Sequence, residues 1–190
     1  MIGPRASGKS TIGPLLAKAV GWPFVELDDV ALKKTGFASI RQCWQSHGEQ
    51  AWREAETAVF DGVWTQTGQV VALGGGAPAV PAIESTIQSR RARGQALVIR
   101  LHCPVNSLQS RLRADPGDRP SVTGTGVVDE VAGLLAKREP IYRRLADITC
   151  DTSGPNPHAT VAVLLEDLRA RWPDLKLGAA SSSDRSGASS

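Results

Sequence analysis

Gly3-Pro4-Arg5-Ala6-Ser7-Gly8-Lys9-Ser10 fits the phosphate-loop pattern GxxxxGK[ST], and the "TIGPLLAKAV" that follows has the period of an amphipathic helix. In such a loop successive backbone N–H groups converge on phosphate oxygens, and the helix N-terminus adds positive potential. Lys9 would reach the β- and γ-phosphates, and Ser10 would offer its hydroxyl to Mg2+. Glu26 and Asp28 stand two apart at the end of the apolar run "WPFVEL", so both would project to one side, where open α/β sheets bind ligands. One acid could hold magnesium through water while the other orients an acceptor hydroxyl; alternatively Asp28 or Asp29 caps the helix opening with "VALKK". The run "VVAL" enters Gly74-Gly75-Gly76, which permits close approach to main-chain N–H groups or makes a plain tight turn. Arg53, Arg119 and Arg138 carry planar forks suited to a carboxylate or a phosphate, unless they are solvated surface. Trp44 and Trp52 serve equally well as core packers.

These residues need a scaffold. Four apolar runs, 22–27, 69–73, 96–103 and 146–151, predict strands. Between them helical patterns cover 9–20, 28–35, 39–46, 48–67, 80–92, 104–114, 127–145 and 157–171. Strand and helix in alternation imply right-handed crossovers and a mostly parallel sheet covered on both faces, an α/β protein of three layers, α/β/α. "ADPGDRPSVTGTG" is too polar for core and long enough for a mobile lid, set at about 113–126. One domain is expected over 1–172, followed by a Ser/Gly/Ala-rich tail, 173–190, that cannot bury enough surface to order itself.

Composition narrows the function classes. The net charge is +3 and the pI near 9.0, so the arginine excess suits an anionic small ligand. No basic run is interleaved with aromatics, which argues against nucleic acid. Cys43, Cys103 and Cys150 are odd in number and lack any ligand spacing, so zinc is not indicated and reduced cytosolic thiols are expected. No apolar run is long enough to span a bilayer and no secretory pattern opens the chain; a cytoplasmic location is expected, with no membrane partner.

The ordered succession "GPRASGKST", "FVELD", "GFASIRQCWQSHGEQAWREAE", "LGGGA", "RP" within the lid, "KREPIYRRLAD" and "DTSGPNP" resembles the shikimate kinase family, from residue 3 to about 165. The loop alone is shared by many kinases, whereas "GE" followed by aromatic-Arg and Glu, then "GGGA" and a lid "RP", is much more specific. The resemblance implies transfer from ATP to the 3-hydroxyl of shikimate, in the chorismate pathway to aromatic amino acids, on a five-stranded parallel sheet. It assigns Gly3, Ala6, Ser7, Gly8, Lys9, Ser10 and Thr11 to ATP, and Ser10 and Glu26 to magnesium. It places Asp28 at the acceptor hydroxyl and Arg53 and Arg138 on the shikimate carboxylate. Gly74, Gly75 and Gly76, with Trp44 and Trp52, line the acceptor pocket. Arg119 closes over the transferring phosphate, and Arg111, Asn156 and Pro157 fall near the adenine. Lys9, Asp28 and Arg119 form the catalytic set, the partners are shikimate and ATP, and a monomer is expected.

Three departures stand out. Glu26 replaces the family's usual Asp, and the lid reads "RPSVTG" where "RPLL" is commoner, which weakens its apolar anchor. Only Met1 and Ile2 precede the loop, where the family forms the central strand. The first strand is expected to be largely truncated, with the natural start upstream or the chain a less stable or inactive derivative. Two other readings remain open: another phosphate-loop small-molecule kinase of the gluconate kinase type, and a non-catalytic nucleotide-binding relative.

Overall fold

The structure, a computed structural model, describes residues 1–175. Helix α1 (Lys9–Val20) starts directly from the phosphate loop, buries Ile12, Leu16, Ala17 and Val20 along one face, and stops at Gly21 in the left-handed conformation. β1 (Phe24–Glu26) runs into α2 (Leu27–Thr35), and α3 (Ile40–Val63) follows, its N-terminus capped by the Ser39 hydroxyl. Gly48 leaves the helical path inside α3 (φ 79°, ψ 174°), so the two helical patterns expected at 39–46 and 48–67 are halves of one kinked helix. β2 (Val70–Ala72), a 3-10 turn over Ala77–Ala79, and α4 (Pro81–Ala92) come next. The chain then forms β3 (Ile99–His102), α5 (Val105–Ala114), α6 (Val131–Leu145), β4 (Ile148–Asp151) and α7 (Pro157–Arg171).

The sheet is built from two parallel pairs, β1 with β2 and β3 with β4. Met1 and Ile2 join them. The Met1 amino group donates to the Val71 carbonyl at 2.5 Å and the Leu73 amide to Met1 O at 3.0 Å. On the other side the Ile2 amide donates to Ile99 O and the Leu101 amide to Ile2 O, both at 2.8 Å. Among the described residues, the five strands expected are thus four strands in two pairs linked by a two-residue bridge. Backbone groups of Val71, Leu73, Ile99 and Leu101, which lie between the two strand pairs, are thereby paired at this level of the sheet.

Strand residues alternate between two cores, as the period of two demands. Val70, Ile99, Leu101 and Ile148 pack with Met1 under α1 and α7; Leu73 and Val98 pack with Ile2, Trp52, Phe60 and Tyr142 under α2, α3, α4 and α6. Helices therefore cover both faces. Cys43, Cys103 and Cys150 are buried and free. Among the described residues no helix is long and apolar enough to cross a membrane.

Three expectations change. The strand expected at 22–27 ends at Glu26, which puts Asp28 in the first turn of α2, beside Asp29 and next to a positive helix end. Neither acid caps α2, whose N-cap is Glu26, its side chain making no capping bond to the helix amides. The helix expected from 127 starts at Val131, because 121–130 form a polar turn around the Glu130 carboxylate. Most of the tail expected from 173, residues 176–190, lies outside the described residues.

Candidate active site

A cleft of about 720 Å3 opens at the ends of the strands and is lined on one wall by Lys9, Ser10 and Glu26 and on the other by Asp28 and Arg119. The phosphate loop forms its floor. Gly3 has φ 147°, and a Cβ there would stand 2.6 Å from the Leu101 carbonyl, so only glycine lets the loop leave the sheet this closely. Ala6 adopts the left-handed conformation at φ 58°, uncommon for a residue with a Cβ. Lys9 is buried, and its Nζ donates to Gly3 O at 2.9 Å and Pro4 O at 2.8 Å. Burial lowers its pKa to about 8, against the partial support of Glu26 and Asp28. The Ser7 side chain is buried inside the loop, while Ala6, Gly8, Ser10 and Thr11 face the cleft.

Two bolts hold the loop from the β4 side. The Thr152 hydroxyl donates to Ser7 O at 2.8 Å, and Arg111 donates to Ala6 O at 3.0 Å and to Thr152 O. Arg111 and Pro157 line the cleft at this end; the Asn156 side chain instead caps α7, accepting from the His158 and Ala159 amides. The Ser10 hydroxyl donates to Glu26 Oε2 at 2.8 Å, so the longer acid rests on the hydroxyl itself. Burial raises the Glu26 pKa, with Ser10 offsetting part of the rise. Two hard oxygens side by side fit a magnesium ion.

The wall facing the loop is an ion network. Arg119 of the lid pairs with Asp28 and, at 3.1 Å, with Glu56 Oε1; Glu56 Oε2 takes Arg53 at 2.6 Å, and Glu49 takes Arg53 at 2.7 Å. Glu56 is fully buried and its two oxygens are shared between the two arginines. The glycines explain themselves here. A Cβ on Gly74 would lie 2.5 Å from Arg119 Nη2 and 2.6 Å from both Asp28 Oδ1 and Glu56 Oε1, and one on Gly76 would lie 2.4 Å from Arg53 Nη2. Gly75 passes against Arg5 N, where a Cβ would stand at 3.3 Å, and its carbonyl accepts the buried Tyr142 hydroxyl.

Lys9, Ser10, Glu26, Asp28 and Arg119 thus share one cleft, with Arg53 behind Glu56. Besides Asn156, three residues expected at the acceptor side stand elsewhere. Arg138 lines a separate cavity of about 20 Å3 beside Tyr142, with Arg5 and Leu112 lining both spaces. Trp52 is fully buried and touches the site through Arg119, whose guanidinium lies 5.5 Å from the ring centre; Trp44 lies 5.9 Å from the Arg53 guanidinium. Neither ring lines the cleft. Sequence reasoning passed over Glu56, although it stands three residues after Arg53 and so shares its helix face. It also passed over the side chains that hold the segment expected as a lid: Arg5 on Pro116 O, Arg119 O and Pro120 O, Asp118 on the Ile40 amide, and Glu130 on Ser121 and Thr123. The weaker apolar anchor expected of "RPSVTG" is replaced by these polar ties.

Residues 5–169 match the family model for shikimate kinase. The chain is 36% identical over 170 residues to shikimate kinase 2 of Sodalis glossinidius (strain morsitans), covering 88% of this chain and 93% of that protein. It is 38% identical over 154 residues to the shikimate kinase of Synechococcus sp. (strain RCC307), covering 81% and 75% respectively. Among solved structures it resembles shikimate kinase from Acinetobacter baumannii in complex with shikimate, with a TM-score of 0.80 at 27% identity over 90% of this chain and 91% of that one. Shikimate kinase from Aquifex aeolicus gives a TM-score of 0.72 at 25% identity over 92% and 96%. By sequence, fold and the phosphate loop that both describe, the chain belongs to the shikimate kinase family and is an ATP-dependent kinase.

Proposed function

We propose that this protein transfers the γ-phosphoryl group of ATP to the 3-hydroxyl of shikimate, in the chorismate pathway. The observation that carries the reading is the network of Arg119, Asp28, Glu56 and Arg53 packed against Gly74–Gly76 across one cleft from Lys9, Ser10 and Glu26. Phosphoryl transfer calls for alignment and charge compensation more than covalent help, and the two walls divide those tasks.

Gly3, Ala6, Ser7, Gly8, Lys9, Ser10 and Thr11 of the loop hold the phosphates, and Lys9 leaves the Gly3 and Pro4 carbonyls for the β- and γ-phosphates. Ser10 and Glu26 hold Mg2+, which neutralises charge on the phosphate oxygens when bound. Arg111 and the Asn156-Pro157 segment flank the adenine. Arg119 moves from Asp28 to the γ-phosphate and so frees the Asp28 carboxylate to orient the acceptor hydroxyl. As the new O–P bond forms and the bond to the β–γ bridging oxygen breaks, the hydroxyl proton passes to Asp28 and ADP leaves. Arg53 and Arg138 take the shikimate carboxylate, Arg138 by turning out of its small cavity beside Tyr142. Gly74–Gly76, Trp44 and Trp52 shape the pocket. Lid closure keeps water from the γ-phosphate.

The working unit is the phosphate-loop domain, residues 1–172, as a monomer in the cytoplasm, acting on shikimate and ATP without nucleic acid or membrane. The test is a coupled ADP-release assay with direct detection of shikimate 3-phosphate, on the parent and on Asp28→Asn. Shikimate-dependent turnover that falls at least about 10²-fold in the variant while ATP still binds is the expected result. ADP release driven by gluconate but not shikimate, or an unaffected Asp28→Asn, would overturn it.

A further inference from the structure

We propose that Arg5, the third residue of the phosphate loop, is a positioning residue that fastens the lid to the loop and thereby sets Arg119 for phosphoryl transfer. Its guanidinium donates to Pro116 O at 2.7 Å, Arg119 O at 3.1 Å and Pro120 O at 3.4 Å. These carbonyls bracket Arg119 on both sides, so one planar fork fixes the stretch of backbone from which that side chain projects. The root of the fork is fixed as well, because the Arg5 amide nitrogen packs against Gly75, where a Cβ would stand only 3.3 Å away.

The remaining ties of the lid's first half reach the opposite wall: Asp118 accepts from the Ile40 amide at 2.7 Å, and Arg119 pairs with Asp28 and Glu56. Arg5 is the side chain that joins this half of the lid to the nucleotide side. Among the described residues it has no acidic partner within ion-pair distance. Half-buried on neutral carbonyls, the guanidinium has its pKa lowered by burial and by Arg119, with the more distant Glu130 and Asp28 offsetting part of the fall. As a connector it is well placed, because the loop that grips phosphate and the lid that carries Arg119 then share one fixed point. Arg5, like Leu112, also lines both the main cleft and the small cavity beside Arg138.

This inference rests on the phosphoryl transfer proposed above. The test compares the parent with Arg5→Met, which keeps length without the fork, and Arg5→Lys, which keeps charge without it. Three quantities are read: kcat and KM for each substrate, the ratio of ADP released to shikimate phosphorylated, and hydrogen exchange of residues 115–126 without ligands. In Arg5→Met kcat should fall about 10²-fold, as for an ångström-scale misplacement of a catalytic group. KM for ATP should stay within about threefold, ADP should exceed phosphorylated product, and lid exchange should quicken. Arg5→Lys should recover less than half of the lost coupling. Unchanged kcat and a ratio of one in Arg5→Met overturn the proposal, as does full rescue by lysine, which would make Arg5 a simple phosphate contact. A fall in melting temperature with an unchanged ratio also overturns it, leaving Arg5 a structural residue. If Arg5→Met does not fold, the ratio and lid exchange of Arg5→Lys decide. A parent without shikimate-dependent turnover would refute the acceptor assignment instead, and lid exchange would still test the fastening.

Discussion

Replacing Gly74 by alanine tests the acceptor wall at its tightest point. The added Cβ would stand 2.5 Å from Arg119 Nη2 and 2.6 Å from Asp28 Oδ1 and Glu56 Oε1, against the 3.4 Å at which ordinary contact begins. All three charged ends must therefore retreat by about 0.8–0.9 Å, and they are tied to one another, so none moves alone. Side-chain tips can yield, which keeps the folding cost near 1–3 kcal/mol, the usual range for overpacking. The chemistry is less tolerant. A displacement of about 1 Å in the groups that orient an acceptor costs about 10²-fold in rate, or roughly 2.7 kcal/mol of barrier. Gly74→Ala should thus lose about 10²-fold in kcat while its urea midpoint falls modestly. Gly62→Ala is the control, since its Cβ would meet nothing within 4 Å, and an alanine within α3 should stabilise by about 0.5–1 kcal/mol. If Gly74→Ala retained kcat/KM within twofold of the parent, the network would not be what holds Asp28 and Arg119 in register.

Lys9 titrates near 8 in the folded protein against 10.5 for the free side chain, so the fold disfavours its charged form. Its stability contribution should grow as pH rises from about 8 to 10.5 and be lost as pH falls through 8. Phosphate oxygens bound beside Lys9 would restore the charged form, and calorimetry of ATP binding at pH 8.5 in buffers of different ionisation enthalpy should find proton uptake that Lys9→Met abolishes. Glu26→Gln should raise the Mg2+ needed for half-maximal rate by about tenfold or more, measured by metal titration at saturating ATP, because one of two hard oxygen donors loses its charge. Burial alone would raise the Glu130 pKa, but hydrogen bonds from the Thr123 amide and the Ser121 and Thr123 hydroxyls hold it below the usual value. The stability it contributes should be present above about pH 4.5 and lost as pH falls through the lowered value. Glu130→Gln should cost about 1–3 kcal/mol at neutral pH by urea unfolding and remove that share of the acid dependence.

The phosphate loop and the strand–helix alternation were legible because each obeys a local rule: a spacing of glycines, lysine and serine in one, uninterrupted apolar runs in the other. Arg53, Arg119, Asp28 and the triple glycine were identified separately, and the fold brings them into contact. What stayed hidden depends on contacts far apart in the chain. Glu56 looks like any solvated acid on a long helix until Arg119 arrives from the lid, 63 positions on. Arg5 reads as a variable loop position until the lid carbonyls descend on it. Asp28 could not be placed on strand or helix by alternation alone, since two successive acids suit a helix's first turn as well as a strand's end. Trp52 illustrates the reverse, an aromatic that resemblance assigned to the pocket and that burial assigns to the layer behind it.

The break at Gly48 divides labour within α3. Residues 40–47 meet the lid through the Ile40 amide, while Arg53 and Glu56 belong to the second half, anchored in the core by Trp52 and Phe60. A helix transmits force through its ladder of i to i−4 bonds, and here the ladder is interrupted between the two halves. On the function proposed above, the part that an incoming acceptor meets would be pushed aside without tilting the part that reads it. A surface that admits and a surface that discriminates usually compromise with each other; one glycine lets this helix serve as both a door and its frame.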